Sequence, residues 1–260
     1  MHGDDDKEIT QVTESHYKNT RGKQMKSWFK PCLSPQSLAI ASLLMTMNTH
    51  AAMSLDKMIV YFEPDKSPRQ DIVVTNPDQE NLYLQTEVYK VVNPGTEQEE
   101  RVRVTNPSEL KLLSTPQKAI VAPNSRKTVR LVSLETPKKT ESVYRVTFKP
   151  VVGDLEATQN AIKLLIAYQT LVFVRPESPE YKVTAKREKD SITFTNSGNI
   201  NVVLRNGQFC SGQKSKRKCS DIDDIKRLYA GQSWTLKVPN SKTEVEYGLF
   251  NGSTEERKTF

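Results

Sequence analysis

Histidine is scarce and poorly placed for chemistry. The 260 residues hold three, His2, His16 and His50, all within the first fifty positions. Cysteine is equally rare, at Cys32, Cys210 and Cys219. No Gly-rich phosphate loop, metal-ligand spacing or zinc-finger pattern occurs. No apolar run reaches the ~20 residues that a helix needs to cross a bilayer. These absences exclude a good deal. Beyond position 52 the chain has no imidazole, so it cannot assemble Ser-His-Asp or Cys-His catalysis or a His-ligated zinc. No catalytic residue, metal or cofactor is expected, and the chain reads as a non-enzyme.

What is present at the N-terminus is processing signal rather than fold. Residues 1–24 are polar, lack apolar periodicity and are expected to stand outside the folded protein. From Met25 the pattern is that of an export signal: Lys26 and Lys30, then the short apolar run Ser37 to Met47, then small residues at Ala51-Ala52. Residues 25–52 are read as a cleaved signal peptide, with an uncleaved anchor or a buried helix as the plainer alternatives. Cleavage there removes every histidine and Cys32. In an oxidising compartment Cys210 and Cys219 most simply form a disulfide around the basic loop SGQKSKRK. A free thiol activated by the neighbouring Lys and Arg is the alternative. Six of the 38 basic residues and five of the 31 acids lie in the first 52 positions, so the remainder carries +6. That is ordinary solubility charge, scattered among acids, and not a nucleic-acid footprint.

From Lys57 onward, short runs of β-branched and aromatic residues alternate with period two between Pro, Asn and Gly turns. Met58–Phe62, Gln70–Thr75, Leu82–Lys90, Arg101–Thr105, Ala119–Val121, Thr128–Leu134 and Val143–Lys149 read as strands, followed by a long one at Ala161–Val174. Arg175-Pro176-Glu177-Ser178-Pro179 breaks the ladder, since two prolines remove donors. Strands resume at Tyr181–Lys186, Ser191–Thr195, Val202–Phe209, Ser233–Val238 and Glu244–Phe250. Turn signals every eight to twelve residues argue for β-sandwiches. The expected domains are residues 53–175 and 176–260.

Ala161–Val174 is the most apolar stretch of this part. Ile162, Leu164, Ile166 and Tyr168 fall on one face of an extended strand. A central core strand would explain the row, and so would an edge strand lending it to another protein's groove by strand addition.

Several ordered elements resemble the periplasmic chaperones of chaperone–usher pilus assembly. They are Thr115-Pro116 with Ala119-Ile120-Val121-Ala122-Pro123, Tyr144-Arg145-Val146 with Pro150, the alternating Ile162/Leu164/Ile166 leading to Phe173-Val174-Arg175-Pro176, and Thr195-Asn196-Ser197-Gly198-Asn199 before Val202. The resemblance covers about residues 54–250. It implies an all-β fold of two immunoglobulin-like sandwiches in a boomerang arrangement. It also implies that Ile162, Leu164, Ile166 and Tyr168 fill the groove of an incomplete pilus subunit, which is then delivered to an outer-membrane usher. Most members of the family hold the subunit's C-terminal carboxylate with two basic residues. Here the corresponding positions fall near Ile59 and at Leu171, which brings the chain closer to the alternate branch serving CFA/I-type and common-pilus-type fimbriae. Lys57, Arg145 and Arg175 are the replacement candidates for that anchor. The expected partners are pilus subunits and the usher, with self-dimerisation of the free protein through its apolar edge. A two-domain immunoglobulin-like adhesin or structural pilin is the competing class, and a carboxylate-only glycan hydrolase a further one. The pilin reading wants an N-terminal donor extension, yet only Ser54-Leu55-Asp56-Lys57 precedes the first strand.

Overall fold

In the computed structural model, residues 53–136, 138–151, 165–212 and 216–260 are described. Residues 1–52, over which a polar extension and a signal peptide are expected, lie outside them, as do Ile162, Leu164 and part of the basic loop. Ten strands come first: β1 (Ser54–Leu55), β2 (Ile59–Phe62), β3 (Arg69–Asn76), β4 (Leu82–Val92), β5 (Glu100–Arg103), β6 (Leu112–Thr115), β7 (Lys118–Val121), β8 (Ser125–Ser133), β9 (Ser142–Val151) and β10 (Tyr168–Val174). They make one sheet in the order β1-β3-β8-β6 and a second in the order β2-β10-β9-β4-β5, with β7 also paired to β4. Alternation decides which face goes inward. In β9, Tyr144, Val146 and Phe148 are buried while Arg145, Thr147 and Lys149 point the other way. Ile72 and Val74 of β3 and Val129 and Leu131 of β8 meet them from the first sheet, with Met53, Phe62 and Val172 completing the core.

Eight strands follow: β11 (Val183–Arg187), β12 (Ser191–Asn196), β13 (Val202–Ser211), β14 (Lys218–Ile222), β15 (Lys226–Leu228), β16 (Ser233–Lys237), β17 (Glu244–Phe250) and β18 (Glu255–Thr259). The sheet β11-β12-β16 packs on β14-β13-β17-β18, with β15 beside β13. Ile192, Phe194, Leu204, Leu236, Val245 and Tyr247 form the second core. Cys210 and Cys219, cross-strand partners on β13 and β14, are joined by a disulfide. Among the described residues, every strand pairing stays within β1–β10 or within β11–β18.

Two features depart from expectation. The strand expected over Ala161–Val174 runs, where described, only from Tyr168, and Leu165–Ala167 are not in a strand. From Leu171 onward β10 is interior, with β9 antiparallel on one side and β2 parallel on the other. Its Val172 and Phe173 are fully buried. The described C-terminal half of this stretch is thus a core strand. The second departure is the strands β1, β6, β14, β15 and β18, each of five residues or fewer and too short in apolar alternation to announce itself. In β18 all five residues are exposed, and pairing with β17 makes it a strand.

Candidate functional site

Opposed residues of paired strands share a face of the sheet. Reading across the second sheet on its outward side, Ile59 of β2 lies opposite Leu171 of β10, then Arg145 of β9, Tyr89 of β4 and Arg103 of β5. The next row on this face is Tyr61, Phe173, Val143, Val91 and Arg101. Residues of the later strands cover that row. Tyr229 lies 6.3 Å from Phe173 between ring centroids, and the Arg227 guanidinium sits 5.0 Å over the Phe173 ring. Tyr61 stacks on the other side of Phe173 at 5.2 Å.

The polar groups here are largely paired. Glu87 accepts from the Tyr89 hydroxyl at 2.7 Å and faces Arg103 at 3.4 Å. Glu99, in the turn between β4 and β5, accepts from the Gly95 N–H at 2.8 Å and lies 3.5 Å from Arg101 and 3.6 Å from Arg145. The Gly95 N–H, with the two arginines in support, outweighs partial burial and holds the Glu99 carboxyl below its ordinary range. Arg145 is about one quarter exposed, and its Nε–H is buried without a hydrogen-bond partner.

The three basic candidates end in three different environments. The Arg175 side chain is 2% exposed, donates to Glu141 at 2.6 Å and to the Asn251 carbonyl, and stacks 4.8 Å over Tyr61. Glu141 in turn accepts from the backbone and side chain of Asn201. Burial pushes the Glu141 carboxyl up, with Arg175 and Asn201 opposing. Arg175 is thereby committed to joining the two strand sets. Lys57 precedes β2 and donates from Nζ to the Asp71 carbonyl of β3 at 2.7 Å. Of the three, Arg145 lies directly beside Leu171 on the outward face, while Lys57 reaches away to β3.

Of the apolar row, Ile166 is 46% exposed, whereas Tyr168 is half-buried against the first core. Ile162 and Leu164 lie outside the described residues.

Comparison with known proteins places the fold in a family. The family described as "Pili and flagellar-assembly chaperone, PapD N-terminal domain" matches residues 52–180. A CS1 fimbrial protein of Escherichia coli is 31% identical over 166 residues, 61% of this chain and 67% of that protein. The chain belongs to the fimbrial-assembly chaperone family. A CFA/I fimbrial protein of Escherichia coli is 28% identical over 176 residues, 65% of this chain and 73% of that protein. A solved class 5 fimbriae chaperone, CfaA, superposes with a TM-score of 0.62 at 24% identity, covering 80% of this chain and 98% of that one. A chaperone–tip adhesin complex of CFA/I fimbriae biogenesis matches with a TM-score of 0.60 at 25% identity, covering 81% of this chain and 97% of that one. The two-domain immunoglobulin-like fold and the alternate branch therefore hold for this family member.

Glu99, Tyr89, Tyr229 and Arg227 went unread in the sequence. Each sits in a turn or on a polar strand face, and only the sheet register and the docking of the later strands bring them beside Arg145.

Proposed function

We propose that the protein is a periplasmic chaperone that stabilises pilus subunits through donor-strand complementation and hands them to an outer-membrane usher. The observation that carries this reading is the exposed Ile166 at the threshold of β10. Two residues on, Tyr168 pairs with Phe148 at the rim of the core, and from Leu171 the strand has neighbours on both sides. An exposed apolar side chain just before such an anchored strand, preceded in the sequence by Leu164 and Ile162, suits addition to an unfinished sheet, where ladder bonds supply affinity and side-chain pockets supply specificity. The anchor for the subunit's C-terminal carboxylate is assigned to Arg145, since Arg175 and Lys57 are engaged elsewhere. Cleavage after Ala52 begins the exported chain at Met53, a residue fully buried in the first core. The function requires no catalytic step.

Coexpression with the cognate pilin in the periplasm tests this. Ile166→Asp should leave the melting temperature within about 2 °C, because substitutions at exposed sites usually change stability by less than ~0.5 kcal/mol, and on this reading Leu164→Asp should do the same. Both should lose the co-purifying pilin. Variants that unfold would show the row to be core, and stable variants that retain pilin would remove the donor-strand assignment. Size exclusion of the free protein reads self-dimerisation in the same preparation.

A further inference from the structure

The feature that the proposed function leaves unexplained is the company Arg145 keeps. Its guanidinium is held on a central strand between Tyr89 and Leu171, and it presents a buried Nε–H with no partner. Among the described residues one carboxylate, Glu99, approaches the fork, and it comes to 3.6 Å from Nη2. That is beyond hydrogen-bond distance, so the contact is an ion pair without the two parallel N–H···O bonds of a strong arginine–carboxylate pair. Glu99 is better satisfied elsewhere. Its Oε2 takes the Gly95 N–H at 2.8 Å, and Arg101 stands 3.5 Å from its Oε1.

We propose that Glu99 is a built-in counter-ion that occupies Arg145 in the free chaperone and yields it to the terminal carboxylate of the incoming pilin. This rests on the reading of Arg145 as the anchor and names what regulates it. The exchange is local. An incoming carboxylate meets Nη2, the donor that faces Glu99, and gains the buried Nε–H as the guanidinium turns toward it, while Glu99 keeps its bonds to Gly95 and Arg101. The loop that carries Glu99 is itself held in place. Gln232 donates from Nε2 to the Pro94 carbonyl, and the Tyr229 ring lies so close to Gly95 that a Cβ there would collide with it. Gly95 also has φ +73°, a conformation that glycine adopts without strain. Residues of the later strands therefore fix how near Glu99 stands to Arg145. Glu99 is a positioning residue. It weakens adventitious anion binding at Arg145 and sets a threshold that a single free anion meets poorly. A carboxylate delivered along with a paired strand meets it well.

The test uses acetate as the carboxylate probe on the whole exported chain, with ionic strength held constant by sodium chloride. The side-chain Nε–H signal of Arg145, identified by its loss in Arg145→Gln, is followed by NMR through the titration. Glu99→Gln should bind acetate roughly two- to fivefold more tightly than the wild type, the range that removing one partly exposed ion-pair competitor allows. Glu99→Asp, which retains the charge on a shorter side chain, should fall between them. Arg145→Gln should abolish the response. Equal acetate affinity in wild type and Glu99→Gln, with the response still lost in Arg145→Gln, overturns the role of Glu99 and leaves the anchor standing. No response at Arg145 in either wild type or Glu99→Gln overturns both. Phosphate titrated in parallel should respond more weakly than acetate; an equal or stronger response would make Arg145 a general oxyanion site and overturn the assignment to a carboxylate.

Discussion

At the scale of single residues, buried polar groups hold this protein in register. Asn76, fully buried, donates from Nδ2 to the carbonyls of Glu80, Val121 and Ala122, while its Oδ1 receives the Asp78 N–H. Asn196 does the same in the second strand set, donating to the Ile200 and Leu228 carbonyls and receiving Lys182 and Gly198. Each terminates a strand and closes the turn after it with bonds that water cannot replace. The Arg175–Glu141 pair is the charged counterpart, with side chains 2% and 3% exposed. Removing one partner strands the other charge in a site without water. Arg175→Ala should therefore cost about 3–5 kcal/mol, read from the urea midpoint at constant slope. A loss below about 1 kcal/mol would mean that the pair is hydrated in solution.

At the scale of elements, β14 owes its existence to neighbours more than to its own residues. Lys218-Cys219-Ser220-Asp221-Ile222 makes β14 with four of its five residues exposed, and the disulfide to Cys210 pins it beside β13. The bridge closes a loop with a sequence separation of 9, for which chain entropy gives roughly 2–3 kcal/mol. Replacing both cysteines by serine should lower stability by about that amount and leave binding to pilin unchanged, since the outward face around Arg145 contains neither residue. Loss of pilin binding at intact stability would place β14 in the interface. The element most legible in the sequence was β9, where alternation and the Tyr144-Arg145-Val146 run agreed with the ladder. The neighbours of β10 were not legible, because the apolar pattern over Ala161–Val174 runs straight across Leu171, where the pairing with β2 begins. Hydrophobicity reports what a strand can bury, and it says nothing of which flank has a partner.

At the scale of the molecule, the two cores meet across a contact that includes Arg175 with Asn251, Glu141 with Asn201, Gln232 with Pro94, and a third apolar cluster in which Tyr229 packs on Phe173, Val143 and Val91. These contacts couple the two strand sets and also position the Glu99 loop beside Arg145. Wild-type protein should unfold in one calorimetric transition. The double variant Asn201→Ala with Tyr229→Ala should separate it into two, because each core buries its own apolar residues and loses only the coupling. A single shifted transition in that variant would show that the cores are not independent.

The sequence by itself determined the all-β class, the strand alternation, the proline break after Arg175 and the absence of imidazole chemistry beyond residue 52. All of these follow from local properties, the period-two pattern and the covalent limits of proline and of each side chain. Only the tertiary structure decided that Arg175 is buried and spoken for, that Ile59 and Leu171 stand opposite one another without charge, and that Arg145 lies one strand away with Glu99 beside it. Those facts depend on register between strands distant in the chain. A one-residue slip would exchange every face, and no local pattern of residues records which register the assembled sheets select.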